Sequence, residues 1–189
     1  DIKKGTTERL TYGKRSSYLN DISQDGTKIL FSTSAEAPTE RPFGKTSIYQ
    51  LDLNTYTIDT LVYENAFVDG ADYSPDGTQV LFTGSAESFD GIGKNCGSHP
   101  IANDYDKQAF IMDLATREVT PITKDFDPSV SVLQWHVADH HIYCTTDDKD
   151  EQNIYRYNTT KKSFEQLPLE ISVTQRFALP SQSAAIAAY

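Results

Sequence analysis

Four histidines, one acidic run, one glycine-rich tetrapeptide and two cysteines are the groups in this sequence with chemistry to offer. The histidines are His99, His136, His140 and His141. His140 and His141 are adjacent, so on a strand they point to opposite faces and do not easily share a metal. His136 could pair with either, but a solvated hairpin end is the plainer expectation. Ser98 directly precedes His99, which is the wrong geometry for a nucleophile and its base. The Gly-x-Ser-x-Gly elbow that lifts a hydrolase serine onto a strand-to-helix turn does not occur. Asp147-Asp148-Lys149-Asp150-Glu151 lacks the glycine and the alternating spacing of a calcium loop, and reads as a charged hairpin tip. Gly91-Ile92-Gly93-Lys94 lacks the Ser or Thr, and the helix, that a phosphate loop requires. Cys96 lies in a polar loop and Cys144 in an apolar strand; two free thiols is the simpler reading. No catalytic residue, cofactor or metal site is therefore assigned.

The elements that would carry any site are short strands. Asp72-Tyr73-Ser74-Pro75-Asp76-Gly77-Thr78-Gln79-Val80-Leu81-Phe82-Thr83 reads as strand, tight turn and strand. Pro75 presets its φ for a turn, and Gly77 supplies an angle that a side chain opposes. Val80, Leu81 and Phe82 place apolar groups on both faces, as a sheet stacked between other sheets requires. A near-copy lies upstream at Asp21-Ile22-Ser23-Gln24-Asp25-Gly26-Thr27-Lys28-Ile29-Leu30-Phe31-Ser32.

A second signature follows each hairpin. An apolar strand ends in Asp or Asn, and a polar turn leads to a strand ending in an aliphatic residue. The spacing is nine positions from Asp52 to Leu61, from Asp113 to Ile122 and from Asn158 to Leu167. Asp1 to Leu10 fits the same rule. In the third unit Trp135 takes the place of Tyr73, Ile142-Tyr143-Cys144 that of Val80-Leu81-Phe82, and the turn has degraded to His136-Val137-Ala138-Asp139. Four-stranded repeats of roughly 45 to 60 residues, stacked face to face, are β-propeller blades. An antiparallel sandwich also has many short strands but does not repeat one hairpin in register.

The expected fold is therefore all-β: a propeller segment of three complete four-stranded antiparallel blades with partial blades at both ends. Residues 1–11 form a blade tail, the blades run over about 17–62, 70–123 and 132–168, and another begins within 175–189. Starting in a third strand and stopping in a second strand reads as a segment of a larger protein, and open blade faces invite a homo-oligomer. Aromatics at 11% and a net charge of −10 fit this reading and argue against nucleic acid, which needs Lys and Arg clusters. No apolar run approaches the roughly 18 residues of a membrane span.

Strand alternation puts the Ser-Pro-Asp-Gly turns and the third-to-outer turns on one rim. The long second-to-third connections, residues 34–45, 85–106 and 147–151, lie on the other. Insertions gathered on one face mark a working face. The insertion 85–106 carries Phe89, Ile92, Ile101 and Tyr105, a candidate interaction loop whose apolar groups either contact a neighbour or fold down on their own blade.

Tyr73-Ser74-Pro75-Asp76-Gly77 with Val80-Leu81-Phe82, followed by Ala109-Phe110-Ile111-Met112-Asp113-Leu114, resembles the propeller repeats shared by TolB-like proteins and prolyl oligopeptidase family serine peptidases. Asn103-Asp104-Tyr105-Asp106, Asp125-Phe126-Asp127-Pro128 and Glu40-Arg41-Pro42-Phe43 look more like the peptidase side, which includes dipeptidyl and acylaminoacyl peptidases. The resemblance implies a non-catalytic propeller segment that restricts or positions peptide substrates and contacts the α/β-hydrolase domain of the parent chain. That catalytic domain lies outside this chain, so no catalytic residue carries over. The alternatives are a TolB-like protein-binding propeller without an attached enzyme, and a propeller carbohydrate lyase. The family resemblance favours a periplasmic or extracytoplasmic setting.

Overall fold

The computed structural model describes residues 5–96, 105–169, 173–174, 176–183 and 185–188. Strands β1 (Ser17–Ile22), β2 (Lys28–Glu36), β3 (Gly44–Asp52) and β4 (Ile58–Asn65) form one antiparallel sheet in sequence order. A second contains β5 (Val68–Tyr73), β6 (Gln79–Gly84), β7 (Gln108–Asp113) and β8 (Val119–Pro121), and a third contains β9 (Ser129–Trp135), β10 (Ile142–Asp148), β11 (Glu151–Asn158) and β12 (Ser163–Gln166). A two-stranded hairpin, β13 (Phe177–Ala178) and β14 (Ala187–Ala188), begins a further unit. The expected all-β propeller segment, with three whole blades and a partial one after them, is thus what the chain forms.

Side-chain alternation on the second strands explains the stacking. Val80 and Phe82 point into a core shared with Leu30, Ile48 and Val62 of the first blade. Leu81, between them, points the other way, into a core with Val130, Ile142, Cys144 and Tyr157 of the third blade. Tyr143 and Ile154 of the third blade in turn bury Phe177 of the hairpin. Trp135 pairs with Ile142 as Tyr73 pairs with Val80, so the repeat keeps its register.

The turns are held by their own side chains. Ser74 Oγ donates to Asp76 Oδ1 at 2.6 Å and accepts from Gln79 N at 2.9 Å, while Asp76 Oδ1 also accepts from Thr78 N at 3.1 Å. Ser23 and Asp25 repeat the arrangement, and Gly26 and Gly77 both sit at φ +68°. The hydrogen bond from Ser23 first, then those from Thr27, hold the exposed Asp25 carboxyl down at about 2. The nine-residue signature is an Asx turn. Asp52, Asp113 and Asn158 each accept two backbone N–H bonds at Oδ1, and the residue four positions on is left-handed: Tyr56, Arg117 and Lys162 at φ 56°, 65° and 54°. Ile122 N and Leu167 N then bond to Ala109 O and Ile154 O, which explains the constant spacing to the aliphatic residue.

Each inner strand carries one residue more than its partner over the same stretch. The pairing skips Asn20 on β1, Asp69 on β5, and one of Val132 and Leu133 on β9. These bulges bend and twist the inner strands, and the one at Asp69 lies farther from its strand's last residue than the one at Asn20 does.

Three expectations need correction. The blade tail has no strand among its described residues 5–11. An outer strand is held by pairing with a third strand, as β4, β8 and β12 are, and residues 5–11 make no such pairing. Instead the segment lies over the outward face of the first blade, where Leu10 and Tyr12 meet Phe31, Tyr49 and Ile58 around a groove of about 490 Å³. The connection 34–45 is shorter than expected, narrowing to residues 37–43, because β2 and β3 pair out to Glu36 and Gly44. Finally, the turn after Trp135 is rebuilt rather than degraded. His136 N bonds to His141 O at 2.8 Å as Ser74 N bonds to Gln79 O, and His140 at φ 59° serves as the left-handed residue. His136 is only 4% exposed, so it is no solvated hairpin end.

Gly77→Ala is expected to lose about 1 kcal/mol in chemical denaturation, since open space around the added Cβ leaves only the backbone strain. Lys162→Gly, at an equivalent left-handed angle already occupied by a side chain, is expected to gain up to about 1 kcal/mol.

Candidate interaction surface

The insertion after β6 leaves from the end of that strand remote from Pro75 and Gly77. Its first turn is fixed tightly: Ser85 N and Ser88 Oγ both donate to Phe67 O, at 3.0 and 2.9 Å. A short helical turn, α1 (Ser88–Gly91), follows, so the stretch is not wholly irregular. Phe89 and Asp90 take left-handed angles there, with φ 53° and 61°, and Gly91 follows at 76°. Two successive non-glycine residues in that region cost of order 1–3 kcal/mol each and persist only where contacts over-determine them. The contacts are visible. The Phe89 ring lies 5.3 Å from Phe82 and 5.3 Å from Phe110, edge-on to the first and tilted to the second. Ile92 packs on the same core, Lys94 Nζ meets Glu87 at 2.6 Å, and a Cβ at Gly93 would fall 3.0 Å from the Phe110 ring.

The four candidate residues therefore separate. Phe89 and Ile92 fold down on their own blade, as the self-packing alternative has it. Tyr105 stands 94% exposed at the far end of the insertion. Ile101 lies outside the described residues. Phe89 and Ile92 also form one wall of an open cleft of about 490 Å³ whose other walls are Leu61 of the first blade and Met112 and Val119 of the second. Arg117 bonds to Asp59 across it, joining the two blades. Sequence reasoning missed Arg117, Asp59 and Leu61 as members of this surface. The pair is 58 positions apart, and no local pattern signals it.

The inner edge holds a second group that the sequence did not single out. β1 and β5 run side by side there. Asp21 Oδ2 accepts Tyr73 N at 2.8 Å, and Tyr73 Oη donates to Gln50 Oε1 at 3.0 Å, stitching the two blades together. Burial, and then the Asp21 carboxylate, push the Asp72 carboxyl up to about 7. The two cysteines are not bonded to each other: Cys144 is buried, and burial pushes its thiol up to about 12, while Cys96 is partly exposed. Among the described residues no group of three or more His, Cys, Asp or Glu converges as a metal set, and no helix is long and apolar enough to cross a membrane.

Comparison with solved structures decides the architecture. TolB from Acinetobacter baumannii superposes with a TM-score of 0.64 at 22% identity, covering 95% of this chain and 39% of that one. The β-propeller domain of the Trilobed protease from Pyrococcus furiosus, described as having an open velcro topology, superposes at 0.56 with 12% identity, over 95% of this chain and 58% of that one. The fold is a β-propeller segment. A prolyl endopeptidase matches at 0.57 and 16% identity over 86% of this chain and 23% of its own. The chain thus spans less than two thirds of the length of each of these proteins. No protein-family model matches the chain, and no curated protein matches it.

Phe89→Ala should destabilise the segment by about 2 kcal/mol or more, because it empties the space between Phe82 and Phe110. Tyr105→Ala should cost much less than Phe89→Ala in the same denaturation, given its exposure. For Asp72 the folded pKa lies above the ordinary carboxylate value, so the folded state holds the extra proton between pH 3.8 and about 7. Its contribution to stability is therefore full below that window and lost as pH rises through it. Asp72→Asn should match the wild type at the acid end and be the more stable protein above about pH 7, by denaturant titration at each pH.

Proposed function

We propose that this chain is a non-catalytic propeller segment of a prolyl oligopeptidase-like serine peptidase. It restricts or positions peptide substrates and meets the α/β-hydrolase domain of its parent through the rim that carries the insertion 85–106. The observation that supports this reading is the division of labour within that insertion. Phe89 and Ile92 anchor it to the blade at the expense of a left-handed backbone, while Tyr105 is held out in solvent. A loop whose first half is rooted on its blade, and whose return to β7 carries an exposed aromatic residue, suits contact with another surface, where aromatic anchors carry much of the energy. The likeness to the propeller of a protease and to a prolyl endopeptidase agrees with it.

A second reading is a TolB-like binding propeller with no enzyme attached, which the superposition on TolB favours. A carbohydrate lyase has less support. It would use histidines clustered with acidic groups at the ring centre, whereas His136 is engaged by Asp139 and Pro180.

A photo-crosslinking amino acid at position 105 of the full-length protein separates these readings. Capture of a hydrolase domain in the same polypeptide is the expected result. Capture of a different protein favours the TolB-like reading, and capture of a second copy makes the rim a homo-oligomer contact. Capture of a different protein overturns the peptidase assignment, and capture of a second copy overturns the hydrolase contact at this rim. The segment alone should not turn over chromogenic dipeptide or acylated amino-acid substrates. Turnover that a serine-directed phosphonate abolishes, in material free of other proteases, would contradict that.

A further inference from the structure

The seams on the two sides of the second blade are closed differently at their outer ends. The third blade carries Tyr155 and Tyr157 on β11 and Phe164 on β12, with Tyr157 paired to Phe164. Phe126, from the stretch after β8, stacks on Phe164 with ring centroids 4.1 Å apart and meets Tyr155 edge-on at 5.0 Å. Aromatic rings thus fill the outer end of the seam between the second and third blades. The matching positions of the second blade, by the same register, are Phe110, Met112 and Val119, with Met112 paired to Val119. Phe89 reaches Phe110 at 5.3 Å much as Phe126 reaches Tyr155, so here the insertion supplies the plug. Val119 has no ring where Phe164 has one. Among the described residues lining the cleft, Phe89 alone is aromatic, and the room left is about 490 Å³.

We propose that this cleft is a docking pocket for an aromatic side chain that a partner's peptide segment presents beside a lysine or arginine. The walls select the ring. Leu61 and Val119 offer aliphatic surface, Met112 offers a thioether that suits a ring edge, and Phe89 offers a ring to pack against. The Phe126–Phe164 pair shows that the blade accepts a stacked ring at this level. The mouth selects the charge. Arg117 is bonded to Asp59 and is thereby neutralised. Asp90 stands exposed at the same mouth, with no hydrogen bond or ion pair among the described residues. It follows directly on the anchored Phe89, which keeps its carboxylate at the cleft. The chain as a whole carries −10, so a basic flank is also drawn in on approach. An acidic segment meets the opposite field, and an alanine in place of the ring leaves the walls uncovered. The pocket is built from β4, β8 and the root of the insertion, so it stands whether or not the parent is a peptidase.

Met112 is the one methionine in this sequence, and it lines the cleft. A methionine-methyl NMR titration of the full-length protein therefore reads occupancy directly, with the Met112 signal assigned by its loss in Met112→Leu. The probes are acetyl-Lys-Phe-Lys-amide, acetyl-Lys-Ala-Lys-amide and acetyl-Glu-Phe-Glu-amide. The expected result is a saturable shift with the first and none with the second. The third should bind about threefold to fivefold more weakly than the first, a gap that closes at high salt. Val119→Phe, which supplies from within the ring that Phe164 supplies in the third blade, should weaken the first peptide by about tenfold or more. Absence of a saturable shift with the first peptide overturns the pocket. So does an equal response to the alanine peptide, or full affinity in Val119→Phe. Equal or tighter binding of the acidic peptide overturns the choice of partner. Should Val119→Phe fail to fold, Asp90→Lys decides: it should reverse the order of the two aromatic peptides, and an unchanged order overturns the proposal.

Discussion

A blade of this protein has two apolar faces and can bury neither by itself. Val80 and Phe82 need the first blade, Leu81 needs the third, and Tyr143 needs Phe177 beyond it. Four strands with both faces wet would not be stable, so the smallest stable unit is a pair of blades rather than one. The first blade's other apolar face, with Phe31 and Tyr49, is met by Leu10 and Tyr12 of the segment before β1.

Stacking supplies cohesion but not alignment. Alignment comes from polar groups placed where the apolar layers end. Asp21 reaches across to Tyr73 N, and Arg117 reaches back to Asp59, one at the inner edge and one across the cleft. Within each blade the turns are preset by side chains that bond to their own backbone, so the hairpins arrive at the stack already in register. The third blade shows that this role is chemical rather than tied to one residue. His136 and Asp139 do there what Ser74 and Asp76 do in the second blade, over a turn closed by the corresponding backbone bond.

Much of this was legible in the sequence because the repeat states it three times. The Ser-x-Asp-Gly hairpins and the nine-residue signature each encode a turn through local bonds, and local bonds leave local patterns. The equivalence of Trp135 with Tyr73 was legible for the same reason. What was not legible depends on contacts between distant residues. That Phe89 would turn inward and Tyr105 outward depends on Phe82 and Phe110 meeting the ring from two strands. The inner-edge carboxyl of Asp72 shows nothing unusual in sequence, because its shift comes from burial in the stack and then from Asp21 of the neighbouring blade. His136 looked like an exposed residue because its second partner, the Pro180 oxygen, is a backbone atom and has no signature at all.

The extra residue in each inner strand bears on how such a chain can drift over generations. Losing or gaining one residue inside β6 or β7 would swap the outward and inward sets of side chains and ruin both neighbouring cores at once. The inner strands already hold a surplus residue at Asn20, at Asp69, and at one of Val132 and Leu133. A single deletion there straightens the strand, and a single insertion widens an irregularity already present, while the ladder on either side keeps its pairing. Length changes in the connectors between blades can be absorbed at these points before they reach the packed layers. The bulges thus act as slack in an otherwise taut repeat, and divergent copies of the blade can keep their stacking while their inner edges change in length.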